Sequence, residues 1–418
     1  MTSSPSAPTA EASLTLKTTR LERTFGWLWG SSGSATLADG IYQVALPIAA
    51  LQLGSGAAAV AAVYTATRLP WVLFALHAGI IADRFDRRLL MVAANTMRTL
   101  SLLAGVLVVT RDMGGIAALT VVAFTLGIAE TIGDTAMHSI TPRVVSRANL
   151  ERANSRMQAT ELVTNLFVGP SLGGMLAGIA LGWAFGAVAL LYVAAALSAV
   201  CIVQRPAPQP PPQGKTTVKD GLAFLFTRPR LAIYATGVGS LNISYGAFQT
   251  SLPVVALRPG ALELTAGQYG VMLGSAGISG LVAGLLAPAL VRQAGNRTCL
   301  LIGSLGLAAG LVTPGLTTNL PLVVAGMIGT GLLVLVNIVT LSYRQRAVPD
   351  HLLGRVTAAY RLLAFGGLPL GSALAGVLGA ATSPQVVLVG AGILVVAAGI
   401  VMAAATPSFH HPAREDLQ

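Results

Sequence analysis

Ionisable side chains are rare in this sequence, and six of those that interrupt its apolar runs lie in the first half: Asp39, Arg68, Arg98, Glu130, Asp134 and Glu161. The apolar runs of the second half hold only Arg361. If those runs lie in lipid, each charge at the bilayer centre costs ~2.5–3.5 kcal/mol or more, so such groups are kept for pairing or for function. Asp39, Arg68 and Arg98 each fall about halfway along their runs and could share one depth. Two readings follow. They form a static salt bridge, or Asp39 exchanges a proton when its arginine contact is lost. Glu130, Asp134 and His138 recur at i, i+4 and i+8, which puts them on one helical stripe. That stripe is a candidate proton path, or its acids pair with Arg143 or Arg156. Glu161 and Asn165 share a face, and His77 reads as a packing or interface residue.

The elements that must carry these residues follow from composition. Charged residues make up 10% of the 418 and apolar ones 54%, against ~25% charged in soluble domains. Mean hydropathy is +0.73. A chain of this length could not hide so much apolar surface from water, so its solvent is mostly lipid. The net charge of +11 does not point to nucleic acid, because the basic residues sit in short clusters between apolar spans. Cys201 and Cys299 both lie in apolar runs, which implies neither a disulfide framework nor a metal site. No signal peptide is visible, and residues 1–25 read as a disordered tail.

A helix needs ~20 apolar residues to cross a bilayer. Twelve candidate spans follow, at 26–52, 57–82, 88–110, 115–138, 157–180, 183–204, 231–257, 266–291, 298–317, 320–343, 357–381 and 384–406. With the N-terminus inside, the cytoplasmic segments hold 21 of the 26 Lys and Arg residues. Only Arg111 and Arg258 fall outside, and Arg68, Arg98 and Arg361 lie within spans. That asymmetry puts both termini in the cytoplasm. The expected organisation is a six-helix bundle over 26–204, a cytoplasmic linker over 205–230, a second bundle over 231–406 and a tail over 407–418. The linker opens Pro-rich and closes on a short amphipathic helix near Lys219–Phe226.

The halves repeat. Gly40, Gln43, Leu46-Pro47 and Ala50-Leu51 recur as Gly246, Gln249, Leu252-Pro253 and Ala256-Leu257, each offset by 246 − 40 = 206. Arg143, Leu150 and Arg152 recur as Arg346, Leu353 and Arg355. Gly169-Pro-Ser-Leu-Gly-Gly-Met-Leu-Ala-Gly178 recurs as Gly367-Leu-Pro-Leu-Gly-Ser-Ala-Leu-Ala-Gly376. Two parallel six-helix repeats suit a transporter with its site between the halves, near the midplane.

Between the second and third spans stands Gly79-Ile-Ile-Ala-Asp83-Arg84-Phe-Asp-Arg87-Arg88. The spacing G-x-x-x-D-R-x-x-R-R resembles a loop of the major facilitator superfamily. The form Asp-Arg-Phe-Asp-Arg-Arg, with Thr141-Pro142-Arg143 and Ala153-Asn154, resembles its branch of enterobactin and macrolide exporters. In this chain Asp86 replaces a usual Gly. The resemblance implies that Gly79 lets two helices approach closely. It also implies that Asp83, Arg84, Arg87, Arg88, Arg143 and Arg361 form a cytoplasmic gate. Gly169-Pro170-x-x-Gly173-Gly174 resembles the end of the antiporter motif, with Asn165 where a Gly is expected. The resemblance places the fifth and eighth helices against each other across the halves. The glycines there, including Gly270, Gly274, Gly277, Gly280 and Gly284, would form a rocking seam, plain tight packing, or both.

In that family the first, fourth, seventh and tenth helices line the cavity. Tyr42, Gln43, Asn242, Tyr245, Gln249 and Asn337, with Thr340, then become candidates for contact with the substrate. A cavity acidic on one side and apolar on the other suits a small amphiphilic organic compound. No catalytic constellation, metal site or cofactor motif is visible, and no phosphate-binding loop points to ATP. The expectation is an all-α, twelve-helix, proton-coupled exporter in the cell inner membrane, acting as a monomer. The alternative is a uniporter or flippase for a metabolite or lysolipid, its acids serving structure alone.

Overall fold

The computed structural model describes residues 10–54, 56–146, 149–203 and 218–407, apart from the side chains of 10–23, 75, 76, 83, 218–220, 350, 351, 353 and 354. Most of the expected linker and final tail lie outside that range. The described chain is almost wholly helical. The helices are α1 (Ala10–Leu53), α2 (Gly56–Arg84), α3 (Arg87–Arg111), α4 (Gly115–Val144) and α5 (Leu150–Glu161). A π-helical stretch, Leu162–Val168, joins α5 to α6 (Gly169–Ile179), and α7 (Leu181–Val200) follows. After the linker come α8 (Val218–Thr227), α9 (Pro229–Ala256), α10 (Ala266–Leu316), α11 (Leu320–Thr330), α12 (Leu333–Ala347), α13 (Asp350–Ala381) and α14 (Pro384–Ala404).

Among the described residues, ten helical segments are long and apolar enough to cross a membrane. So many apolar helices are those of a multi-pass membrane protein. Two details depart from the hydropathy reading. The first helix begins at Ala10 rather than near residue 26, because hydropathy marks where lipid begins and not where hydrogen bonding begins. The spans expected at 266–291 and 298–317 form one 51-residue helical segment, broken at Gly295 by a φ of 77°. That left-handed geometry suits glycine and turns the chain back. α9 spans 28 residues and carries a larger share of polar residues than α10.

Helix ends are set by local chemistry. Asp86 accepts from the backbone N–H of Arg88 at 2.8 Å and of Leu89 at 3.4 Å, capping α3. The residue that departs from the family pattern therefore satisfies two otherwise unpaired donors, which is worth ~1 kcal/mol. Thr265 and Gln268 form a reciprocal capping box at the start of α10.

The sequence repeat is visible as packing. In the first half Gly40 of α1 lies against Thr164 and Asn165, and Gly173 against Ile41. In the second half Gly246 of α9 lies against Leu368 and Ser372, and Gly371 against Ile243. Each contact brings backbones so close that a Cβ would collide, the use small residues have between membrane helices.

The halves meet at one end. The first turns of α2 pack on the last turns of α13: Thr65 donates to the Pro369 carbonyl at 3.5 Å and Ser372 to the Ala61 carbonyl at 3.5 Å. Gly174 and Gly270 face each other so closely that a Cβ on Gly174 would come within 2.9 Å of the Gly270 Cα. Gly277 abuts Leu166, whereas Gly280 turns to Gly331 of its own half and Gly284 faces open space. At the other end of α2, near the basic loop 84–88, a Cβ on Gly79 would meet no described atom within 4 Å. The close approach expected at Gly79 is not seen among the described atoms. A lipid-side recess of about 740 Å³ opens between α2, α4 and α13, lined by Ala61, Thr65, Phe124, Gly376 and Val377 among others.

Candidate functional site

Four helices of the first half bring most of its intramembrane charges together. On α2, Arg68 donates to Glu130 of α4 at 3.0 Å, and Tyr42 of α1 donates to the other Glu130 oxygen at 2.9 Å. One turn further along α4, Asp134 accepts from Arg98 of α3 at 3.4 Å. Asn95, one turn before Arg98 on α3, accepts from the same guanidinium at 3.4 Å. Asp39 of α1 accepts a short hydrogen bond from the Tyr192 hydroxyl of α7. The Arg98 guanidinium lies 5.2 Å from the centre of the Tyr192 ring.

These contacts revise the expected pairings. Glu130 and Asp134 pair with Arg68 and Arg98, not with Arg143 or Arg156, because the i, i+4 stripe of α4 faces α2 and α3 at the depth of those arginines. Asp39 shares that depth, yet its hydrogen bond comes from a tyrosine. Tyr192 was not singled out from the sequence: a lone aromatic in an apolar run carries no pattern. Glu161 is exposed and makes no ion pair among the described residues. The π-helical stretch begins immediately after it. Asn165 itself accepts from Gln43 at 2.9 Å, which joins α1 to the fifth span. Thr36 bonds Thr164 at 2.7 Å and Trp29 donates to Thr160 at 2.7 Å along the same seam.

Burial is graded across the cluster. Arg98 is 2% exposed and Asp39 8%, whereas the Glu130 and Asp134 side chains are 13% and 32% accessible. The acids of α4 are therefore the more accessible members of the cluster, and Asp39 is the most enclosed of the three. His138 is exposed further along the stripe, and His77 packs edge-on to Phe74 of its own helix at 6.4 Å.

In the second half Asn242 donates to the Ala364 carbonyl at 2.8 Å and so ties α9 to α13. Tyr245 packs on Phe248 at 5.9 Å, Gln249 is partly buried and Asn337 is exposed. Of the expected gate, the Asp83 side chain lies outside the described residues. Arg84 and Arg361 are exposed, Arg87 is buried, and Arg88 donates to the Ile202 carbonyl at 3.3 Å. Arg143 is partly buried. Within the fifth span, Pro170 sits where the helix returns from π to α geometry; the Gly169 N–H reaches Thr164 five residues back. Among the described residues no cluster of His, Cys, Asp and Glu is arranged to hold a metal.

Comparison with known proteins agrees with this geometry. The profile of the transmembrane secretion effector family matches residues 19–415. The multidrug efflux pump Tap of Mycobacterium tuberculosis is 29% identical over 395 residues, covering 88% of this chain and 90% of Tap. The enterobactin exporter EntS of Escherichia coli is 24% identical over 317 residues, 73% of each chain. Among solved structures, the nucleoside transporter NupG superposes with a TM-score of 0.74 at 16% identity, covering 91% of this chain and 98% of NupG. The fold, the profile and the full-length relatives agree that this chain is a transporter and not an enzyme, and that it belongs to the transmembrane secretion effector family of the major facilitator superfamily.

Proposed function

We propose that the protein exports a small amphiphilic organic compound from the cytoplasm by alternating access, driven by inward proton flow. In this reading the chain crosses the cell inner membrane twelve times, with both termini and the linker inside. The bundles 26–204 and 231–406 rock about the contacts at Gly174–Gly270 and between α2 and α13. The observation that carries the proposal is the placement of the charges: three carboxylates and two arginines are gathered in the first bundle. The facing helix α9 of the second offers neutral groups such as Tyr245 and Gln249. The names of Tap and EntS support export and an organic substrate.

Protons reach the acids of α4 from the space between the halves, and the ion pairs with Arg68 and Arg98 set which acid is free to accept one. In this reading the protein loads from the cytoplasm when its basic end is open. The experiment is transport in vesicles reconstituted with the purified protein, using a fluorescent lipophilic cation such as ethidium beside a panel of neutral amphiphiles. An imposed pH gradient should drive accumulation of at least one of these against its own gradient, and a proton ionophore should abolish it. Facilitated movement that only dissipates a substrate gradient, indifferent to the pH gradient, would make the protein a uniporter.

A further inference from the structure

The charge cluster does not balance. Asp39, Glu130 and Asp134 supply three negative charges when ionised, and Arg68 and Arg98 supply two positive ones, leaving one in excess (3 − 2 = 1). Each guanidinium already has a carboxylate partner on α4. Asp39, the most buried of the three acids, is bonded to a phenol. An unpaired carboxylate in a low-dielectric interior is expensive, and a bound proton removes that cost.

We propose that Tyr192 is the positioning residue for the coupled proton. Its ring seats Arg98 against Asp134 and so away from direct pairing with Asp39, and its hydroxyl donates to Asp39, so that the cluster takes up one proton, and that proton rests on Asp39. This deepens the proton-coupled reading and rests on it. Two contacts of one side chain carry the argument. The hydroxyl donates to Asp39, and the guanidinium stands 5.2 Å from the ring centre. Tyr192 is fully buried, so neither contact is shared with water at that residue. Asp134, a third accessible, is the port from the cavity: a proton arriving there can pass inward as Arg98 shifts along the ring between the two acids. The step adds one proton to one carboxylate and breaks no other bond.

The groups that act on Asp39 come from every side of it. They are Tyr192 on α7, Arg98 on α3, Arg68 on α2, Glu130 on α4 and Tyr42 on its own helix. Asp134 on α4 also faces it directly, and Tyr245 on α9 acts at one remove, through Arg68. Glu161 acts on Asp134, as the weakest of its charged neighbours.

The test needs no substrate. Infrared difference spectra of the detergent-purified protein, recorded across pH, report the C=O stretch of protonated carboxyl groups. The wild type should show one buried carboxylic acid that titrates apart from the solvated ones, and Asp39→Asn should remove it. Tyr192→Phe keeps the ring under Arg98 and deletes the hydrogen bond that favours the ionised acid. Its titration should therefore move up by about one pH unit, a tenfold change. Tyr192→Leu also removes the seat for Arg98, which is then free to pair with Asp39, and the titration should move down. A residue that only fills space would not shift the two variants in opposite directions. Shifts of the same sign, no shift, or a band that survives in Asp39→Asn would overturn the proposal. The vesicle assay decides separately whether proton flow drives export, so either idea can fail alone.

Discussion

Arg68 and Glu130 form the shorter of the two intramembrane ion pairs among the described residues, and the pair makes a specific demand on mutants. Removing one partner of a buried pair leaves a charge without compensation and costs about 3–5 kcal/mol. Both groups here are partly accessible, so about 2 kcal/mol is the reasonable scale after screening. Arg68→Gln should therefore lower the thermal unfolding midpoint in detergent clearly. The double variant Arg68→Gln with Glu130→Gln should recover more than half of that loss, since neither neutral amide strands a charge. Additive losses in the double variant would show that the two residues do not act as a pair. The sequence made these charges conspicuous, because each interrupts an apolar run. It did not reveal which acid meets which base, since that depends on the rotation of four helices about their axes. Tyr192 shows the limit more sharply: its importance lies wholly in what stands beside it.

At the scale of elements, the glycines of α6 and α10 were legible as a seam from their spacing, and the structure divides them. Gly270, Gly274 and Gly277 face the first half, while Gly280 serves the second. Gly270→Val should keep the halves from closing at that end, since its Cβ would run into the backbone of Pro170 and Gly174. Overpacking of this kind costs ~1–3 kcal/mol, so the two halves should separate there. Paired spin labels at the C-terminal end of α6 and the N-terminal end of α10 should report the widening, and transport should fall with it. Gly79→Leu tests the opposite end. No described atom obstructs its side chain in this state, so stability should hold. If α2 and α13 close at the basic end during the cycle, the same variant should trap the splayed form, seen as undiminished distances between labels there. Normal cycling in Gly79→Leu would remove Gly79 from the gate.

For the molecule as a whole, the distribution of Lys and Arg makes a claim about sidedness that labelling can decide. Met113 and Phe85 are both exposed, at 58% and 63%, and lie at opposite ends of α3. In a background with Cys201→Ser, to remove the exposed native thiol, Met113→Cys should react with an impermeant maleimide in intact cells. Phe85→Cys should react only after permeabilisation. The reverse pattern would invert the topology. The fold class was readable from composition, repeat and loop motif together, because lipid imposes so few architectures. The irregular places were not, and Leu162–Val168 is the clearest of them.

That stretch behaves as though one extra residue had been let into a helix. An α-helix turns by about 100° per residue, and a helix bonded five residues back turns by less. The seven residues Leu162–Val168 therefore sweep about the angle that six would sweep in α geometry. Excising Val163 and letting the chain close into an α-helix would leave Gly173 and Gly174 against Ile41 and Gly270, as they are now. The extra residue is local slack, and the phase of the fifth span is held by the regular helix beyond it. A one-residue deletion within Leu162–Phe167 should therefore be tolerated far better than one within Gly169–Gly178, where no wide turn can absorb it. A deletion scan across the fifth span, read as surviving export, checks this; equal loss in both stretches would show that the wide turn is not slack.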